Sequence, residues 1–146
     1  NTSSDDSWLL LMKDIGYPKL IEYAASIGIS YDPEQNLLTP TEMASLLKQL
    51  YAGQLLNPGN TEELLGYMQH TNDEELIPAG VPEGVTVNHK YGLLDGYVHD
   101  AAVLSSGGAA YAVAIYTWGA SDADSPERIE VFHELTTAVT SALFRR

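Results

Sequence analysis

There is no cysteine in the 146 residues, so a disulfide framework, a thiolate nucleophile and a zinc–thiolate site are excluded from this chain. Basic residues are scarce: Lys and Arg number 7 against 20 Asp and Glu, a formal net charge of -13. A balance of that sign repels phosphate backbones and anionic lipid, which argues against nucleic acid and membrane as partners. No apolar run approaches the roughly 20 residues that a spanning helix needs. The N-terminal residues have neither the basic nor the apolar region of a signal peptide, so a soluble chain is expected, whether or not a leader once preceded it. Internal repeats and low-complexity segments are absent as well. With 45% apolar residues, the length supports one core, hence a single domain or a large piece of one.

The first half reads as helices. A small polar cluster, Asn1 to Asp6, precedes Trp8, Leu9, Leu10, Leu11 and Met12. Asp5 or Asp6 suits the N-cap of a helix that stops at Gly16, and its apolar residues are not confined to one stripe, so burial on nearly all sides is expected. Pro18 opens a second helix that ends at Gly28. Thr39, Pro40 and Glu42 spell a capping box, followed by an apolar face from Met43 to Tyr51 and a stop at Gly53. A fourth helix is expected from Asn60, with Glu63 in the capping-box position.

After the irregular, Pro- and Gly-containing stretch 72–84 the pattern becomes extended. Strands are expected over Val85–His89, Tyr97–Leu104 and Tyr111–Thr117, the last two joined as a hairpin through Ser105-Ser106-Gly107-Gly108. A final helix is signalled by Ser125 as cap and Pro126, with a stripe of Ile129, Phe132, Leu135, Thr136, Val139 and Leu143 that needs a sheet face to cover. Helices, then an antiparallel meander, then one covering helix make an α+β fold. The expected division is a helical part over 1–70, a connection over 71–84, and strands plus terminal helix over 85–146. The third strand is apolar enough to want a neighbour on each side. That, and the opening directly into an apolar helix, suggest a single partial domain whose missing piece precedes residue 1 or is supplied by a second chain.

The stretch Val85-Thr86-Val87-Asn88-His89-Lys90-Tyr91-Gly92 places one cation at the end of a β-branched run and then a glycine, which reads either as a strand edge offering Lys90 to a cleft or as an ordinary surface lysine. The order Ser4-Asp5-Asp6, Thr39-Pro40-Thr41-Glu42-Met43-Ala44, Val81-Pro82-Glu83-Gly84-Val85, His89-Lys90-Tyr91-Gly92 and Asp100-Ala101-Ala102-Val103, then a hairpin and a long terminal helix, resembles the second half of class A β-lactamases and related penicillin-recognising serine hydrolases. In that family a nucleophilic serine and a lysine stand in Ser-x-x-Lys, a Ser-Asp-Asn loop supplies a proton-shuttling hydroxyl, and Lys-Thr-Gly or Lys-Ser-Gly on a strand holds the substrate carboxylate. The resemblance implies that Ser4 is the shuttle serine, that Asp6 stands at the asparagine position, and that Lys90, Tyr91 and Gly92 form the strand motif. It departs at two places. Asp6 puts a carboxylate where an amide would donate to substrate, and Tyr91 removes a small hydroxyl from the carboxylate site. The formal match Ser45-Leu46-Leu47-Lys48 falls mid-helix and after the Ser4 loop, so it is not the family's nucleophile. Glu34 lies in a loop too short to hold a deacylating glutamate, and without such a base an acyl-enzyme would persist.

The remaining candidates are weaker. His70, His89, His99 and His133 lack ligand spacing, and no metal or cofactor is expected. His89 should point away from Lys90 to the other face of its strand. Asp122, Asp124 and Glu127 suit a helix N-terminus better than a calcium loop. Trp118, Tyr91 and Tyr97 either line a groove beside Lys90 or pack on the sheet. The expected function is therefore a β-lactamase-like serine hydrolase acting on β-lactams or peptidoglycan peptides, its nucleophile outside this chain, so that the chain by itself is inactive. The alternative is a non-catalytic module of the same fold that binds cell-wall material or a protein. Placement outside the cytoplasm follows from the resemblance alone.

Overall fold

The computed structural model describes residues 4–32, 34, 37–121 and 125–144. Helix α1 (Asp5–Ile15) begins because the Ser4 hydroxyl accepts the Ser7 N–H at 3.4 Å. The cap is thus Ser4, and Asp5 and Asp6 occupy the first turn, where the N-terminal end of the helix dipole favours negative charge. The helix is not buried. Trp8, Leu9, Leu10 and Leu11 are all exposed, because apolar side chains encircle the helix and its main packing partner among the described residues is α2 (Tyr17–Ser26).

Helix α3 (Pro40–Tyr51) carries the expected capping box: the Thr39 hydroxyl accepts the Glu42 N–H at 3.2 Å and a Glu42 oxygen accepts the Thr39 N–H at 3.0 Å. Helix α4 (Pro58–Tyr67) starts earlier than the sequence suggested. Its cap is Asn57, whose side chain accepts the Asn60 N–H at 2.9 Å, and Pro58 takes the first helical position, where a missing N–H costs nothing.

Strands β1 (Thr86–Leu94), β2 (Tyr97–Ser106) and β3 (Ala109–Trp118) form one antiparallel sheet in the order β1-β2-β3. The first strand runs five residues past His89, through Lys90, Tyr91 and Gly92 to Leu94, because β2 offers it a continuous ladder. It then turns at Asp95 and Gly96, both at positive φ, +46° and +81°. At Gly96 a Cβ would lie 2.8 Å from the Gly119 carbonyl oxygen, so the turn is locked against the end of β3. Although its composition suits a central position, β3 pairs here with β2 alone.

Cross-strand partners share a face. Ala102 and Leu104 of β2, with Val98, build a core with Leu76, Ile77 and Phe132 of α5 (Ser125–Leu143), through the 3-10 turn Ile77–Gly80. On the opposite face Ala101 and Val103 pack on Leu47 of α3. The inward stripe of α5 is Phe132, Thr136 and Thr140, whereas Leu135 is exposed. Ser125, expected as its cap, is its first residue, and residues 122–124, with Asp122 and Asp124, lie outside the described residues.

Candidate functional site

Lys90 pairs with Ala101, so its side chain leaves β1 on the face that α3 covers; Gly92, opposite His99, follows it. Its Nζ folds back over the next residue, donating to the Tyr91 carbonyl and lying 4.4 Å from the centre of the Tyr91 ring. Partial desolvation there draws the ammonium below its ordinary value, against the opposing pull of Asp100 and Asp73. Tyr91 itself is opposite Asp100 and packs on the core beneath α5. The structure therefore brings Lys90 and Tyr91 into direct contact. Ser4 and Asp6 sit at the start of α1, where the Ser4 hydroxyl serves as the cap. Tyr97 and Trp118 are cross-strand partners and both are exposed, next to the stacked pair His99 and Tyr116, whose rings lie 4.2 Å apart. Ser45 and Lys48 line a cleft between α3 and β3 with Ala44 and Ala112, on successive turns of one helix.

Directly behind Lys90 stands a cluster that was only partly legible in the sequence. His89 is 1% exposed and Asp100 is 1% exposed. The His89 Nδ1 is 3.0 Å from both Asp100 oxygens, and Nε2 is 2.8 Å from Thr71 Oγ1 and 3.3 Å from Glu74 Oε1. The same Glu74 oxygen accepts the Thr71 N–H at 2.6 Å, and Asp100 Oδ2 accepts the Ile77 N–H at 3.1 Å. The backbone joins in: the His89 N–H donates to the Met68 carbonyl at 2.8 Å, and the Asn88 amide donates to the Leu65 carbonyl at 2.7 Å. Burial by itself would push the His89 imidazole down, but hydrogen bonds and charge from Asp100, then from Glu74, outweigh it and the net shift is upward.

His89 lies on the face away from Lys90, as its strand position requires. Asp100, Thr71 and Glu74 were not foreseen as its partners. The signal was present in Asp100, a lone carboxylate in the apolar run Asp100-Ala101-Ala102-Val103-Leu104, since a buried charge needs a partner. Among the described residues no group of three or more His, Asp or Glu side chains is arranged to hold a metal ion.

A family model described as the β-lactamase enzyme family matches residues 10–143. The chain belongs to that family. Solved structures agree with the assignment. A β-lactamase from Burkholderia vietnamiensis is 24% identical, with a TM-score of 0.81, and the match covers 94% of this chain and 58% of that one. A variant of the last common ancestor of Gram-negative class A β-lactamases, bound to the transition-state analogue 5(6)-nitrobenzotriazole, is 28% identical at a TM-score of 0.79, covering 91% and 57%. An L158E mutant of PBP-A, an acyl-enzyme complex with penicillin G, is 24% identical at 0.75, covering 86% and 50%. This β-lactamase-family chain thus spans 50% to 58% of the length of these relatives. No curated protein sequence matches it. No described helix is long and apolar enough to cross a membrane.

Proposed function

We propose that this chain is the C-terminal part of a serine hydrolase domain that forms an acyl-enzyme with β-lactams or peptidoglycan peptides outside the cytoplasm, with the nucleophilic serine and its lysine carried on a segment preceding residue 1. The observation that carries this reading is the position of Lys90. It is a cation on an outer strand of the sheet, in a His89-Lys90-Tyr91-Gly92 stretch that resembles the family's carboxylate-holding Lys-Thr-Gly motif. An ammonium there can fix an anionic substrate, and a hydroxyl at Ser4 can relay a proton to a leaving nitrogen once the preceding segment completes the cleft. Residues 1–146 are then a partial domain, and the exposed apolar residues Trp8 to Leu11 are the face that the preceding segment covers.

Intact mass spectrometry of the longest natural form, before and after a penicillin, tests this. A stable mass increase equal to the penicillin is expected, and its absence in a form that includes the upstream segment would sink the acyl-enzyme reading. A second reading, a binding module without catalysis, is favoured by one observation: the Tyr91 ring and carbonyl hold the Lys90 ammonium that a substrate carboxylate would otherwise meet. That reading expects no mass increase and retention of the chain on purified peptidoglycan.

A further inference from the structure

The His89 cluster has no part in the acyl-transfer scheme, although it ties together more of the chain than any other buried polar group described above. Its neighbours bear on the charge of the ring: Thr71 Oγ1, 2.8 Å from Nε2, can accept from a charged ring or donate to a neutral one, whereas the carboxylates can only accept when ionised. Asp100 is acceptor-only when ionised and faces Nδ1; Glu74 is acceptor-only when ionised and faces Nε2. An imidazole satisfies both carboxylates only when both nitrogens carry hydrogen, which is the imidazolium. Around it, β2 contributes Asp100, the segment between α4 and the 3-10 turn contributes His70, Asp73, Glu74 and Glu75, and β1 contributes Lys90 and Tyr91. Helix α5 reaches the same segment where His133 Nε2 donates to the Glu75 carbonyl at 2.6 Å.

We propose that His89 is a positioning residue, a buried imidazolium whose two N–H groups, one held by Asp100 and one by Glu74 with Thr71, pin the 68–77 segment to β1 and so set the strand edge and the local charge from which Lys90 projects. While the ring is charged, the cation offsets Asp100, and Glu74 is drawn onto Nε2. When the Nε2 proton leaves, its lone pair can accept from the Thr71 hydroxyl but faces the Glu74 carboxylate, so the Glu74 contact turns repulsive and the segment keeps only Thr71 and the bonds from the His89 N–H to Met68 and from the Ile77 N–H to Asp100. Asp100 is then uncompensated, and its field reaches Lys90, the next residue along β1. This extends the reading of Lys90 as the cation of the cleft, yet its test needs neither penicillin nor a preceding segment, so the two fail separately.

The chain is reductively methylated with ¹³C so that its four lysines, Lys13, Lys19, Lys48 and Lys90, report by NMR, and the Lys90 signal is identified by its loss in Lys90→Arg. The His89 ring signals are followed in the same pH titration. The expected result is a shift of the Lys90 methyl signal with the same midpoint as the His89 ring, and a downward move of both midpoints together in Glu74→Gln, a change at an exposed side chain that leaves the core intact. A Lys90 signal that stays flat across the His89 midpoint would overturn the proposal. So would a Glu74→Gln chain in which the His89 midpoint moves and the Lys90 signal does not follow it.

Discussion

Asp100 stands behind His89 with both carboxylate oxygens 3.0 Å from Nδ1, although the two residues are not direct cross-strand partners. His89 faces Ala102 and Asp100 faces Tyr91, so the pair meets on the diagonal across one face of β1 and β2. The same carboxylate holds the Ile77 N–H. One buried group therefore links both strands to the turn beneath α5.

Stability should fall with rising pH through the His89 titration. The folded-state value is raised above the ordinary 6.5, so the contribution of the charged ring is fully present below 6.5 and is lost as pH climbs through the raised value. Thermal midpoints measured upward from about pH 6 are expected to show that decline in the native chain and not in His89→Gln. Parallel curves for the two chains would contradict it.

Removing the carboxylate is expected to cost more than removing its charge. Asp100→Ala strips the partner from a buried cation and leaves the Ile77 N–H unsatisfied, a loss of about 3 kcal/mol by urea unfolding. Asp100→Asn keeps an acceptor for one of these donors, so its loss should be smaller. Equal losses would mean that the charge carries the effect, and that the shape and the acceptor kept by Asn contribute little.

At Gly80 a Cβ would come within 2.7 Å of Thr136 Cβ and 2.9 Å of the His133 carbonyl oxygen. Gly80→Ala should therefore destabilise by about 1–3 kcal/mol through overpacking of α5 on the 3-10 turn. An unchanged urea midpoint would show that the helix moves away without cost.

The apolar residues of α1 and α3 should respond in opposite ways. Leu10 is 67% exposed and Leu47 is 4% exposed. Leu10→Glu is expected to change the stability of this chain by less than about 0.5 kcal/mol, while Leu47→Ala should cost about 2–5 kcal/mol. If a preceding segment covers α1, as proposed, Leu10→Glu becomes costly in the longest natural form. Equal effects in the two forms would count against that cover.

In that longest form Lys90→Ala should slow penicillin acylation by about tenfold to a hundredfold, the usual loss when one charge-assisted contact to a substrate carboxylate is removed. A rate within twofold of the native chain, by time-resolved mass spectrometry, would remove Lys90 from the site.

Local chemistry made much of this readable in advance. The Thr39–Glu42 capping box and the glycine stops at Gly16, Gly28 and Gly53 depend only on neighbouring residues, and they fall where the chain turns. The extent of β1 was not readable, because Gly92, Leu93 and Leu94 stay extended only through the ladder to β2. The His89–Asp100 contact needed the register of that ladder, which a pattern of alternation does not supply. The exposure of α1 was misjudged for a related reason. An all-round apolar helix implies surrounding partners, and among the described residues α2 is its main neighbour.

The tight seat of α5 on Gly80 also makes the C-terminal helix a lever. With no slack between Thr136 and the 3-10 turn, a pull on α5 is transmitted as a rigid displacement of that turn. From the turn, the bond between the Ile77 N–H and Asp100 carries that displacement into the sheet. Tension applied to α5 would therefore be felt at the His89–Asp100 pair through the turn, and at β3 directly through Phe144 and Tyr111.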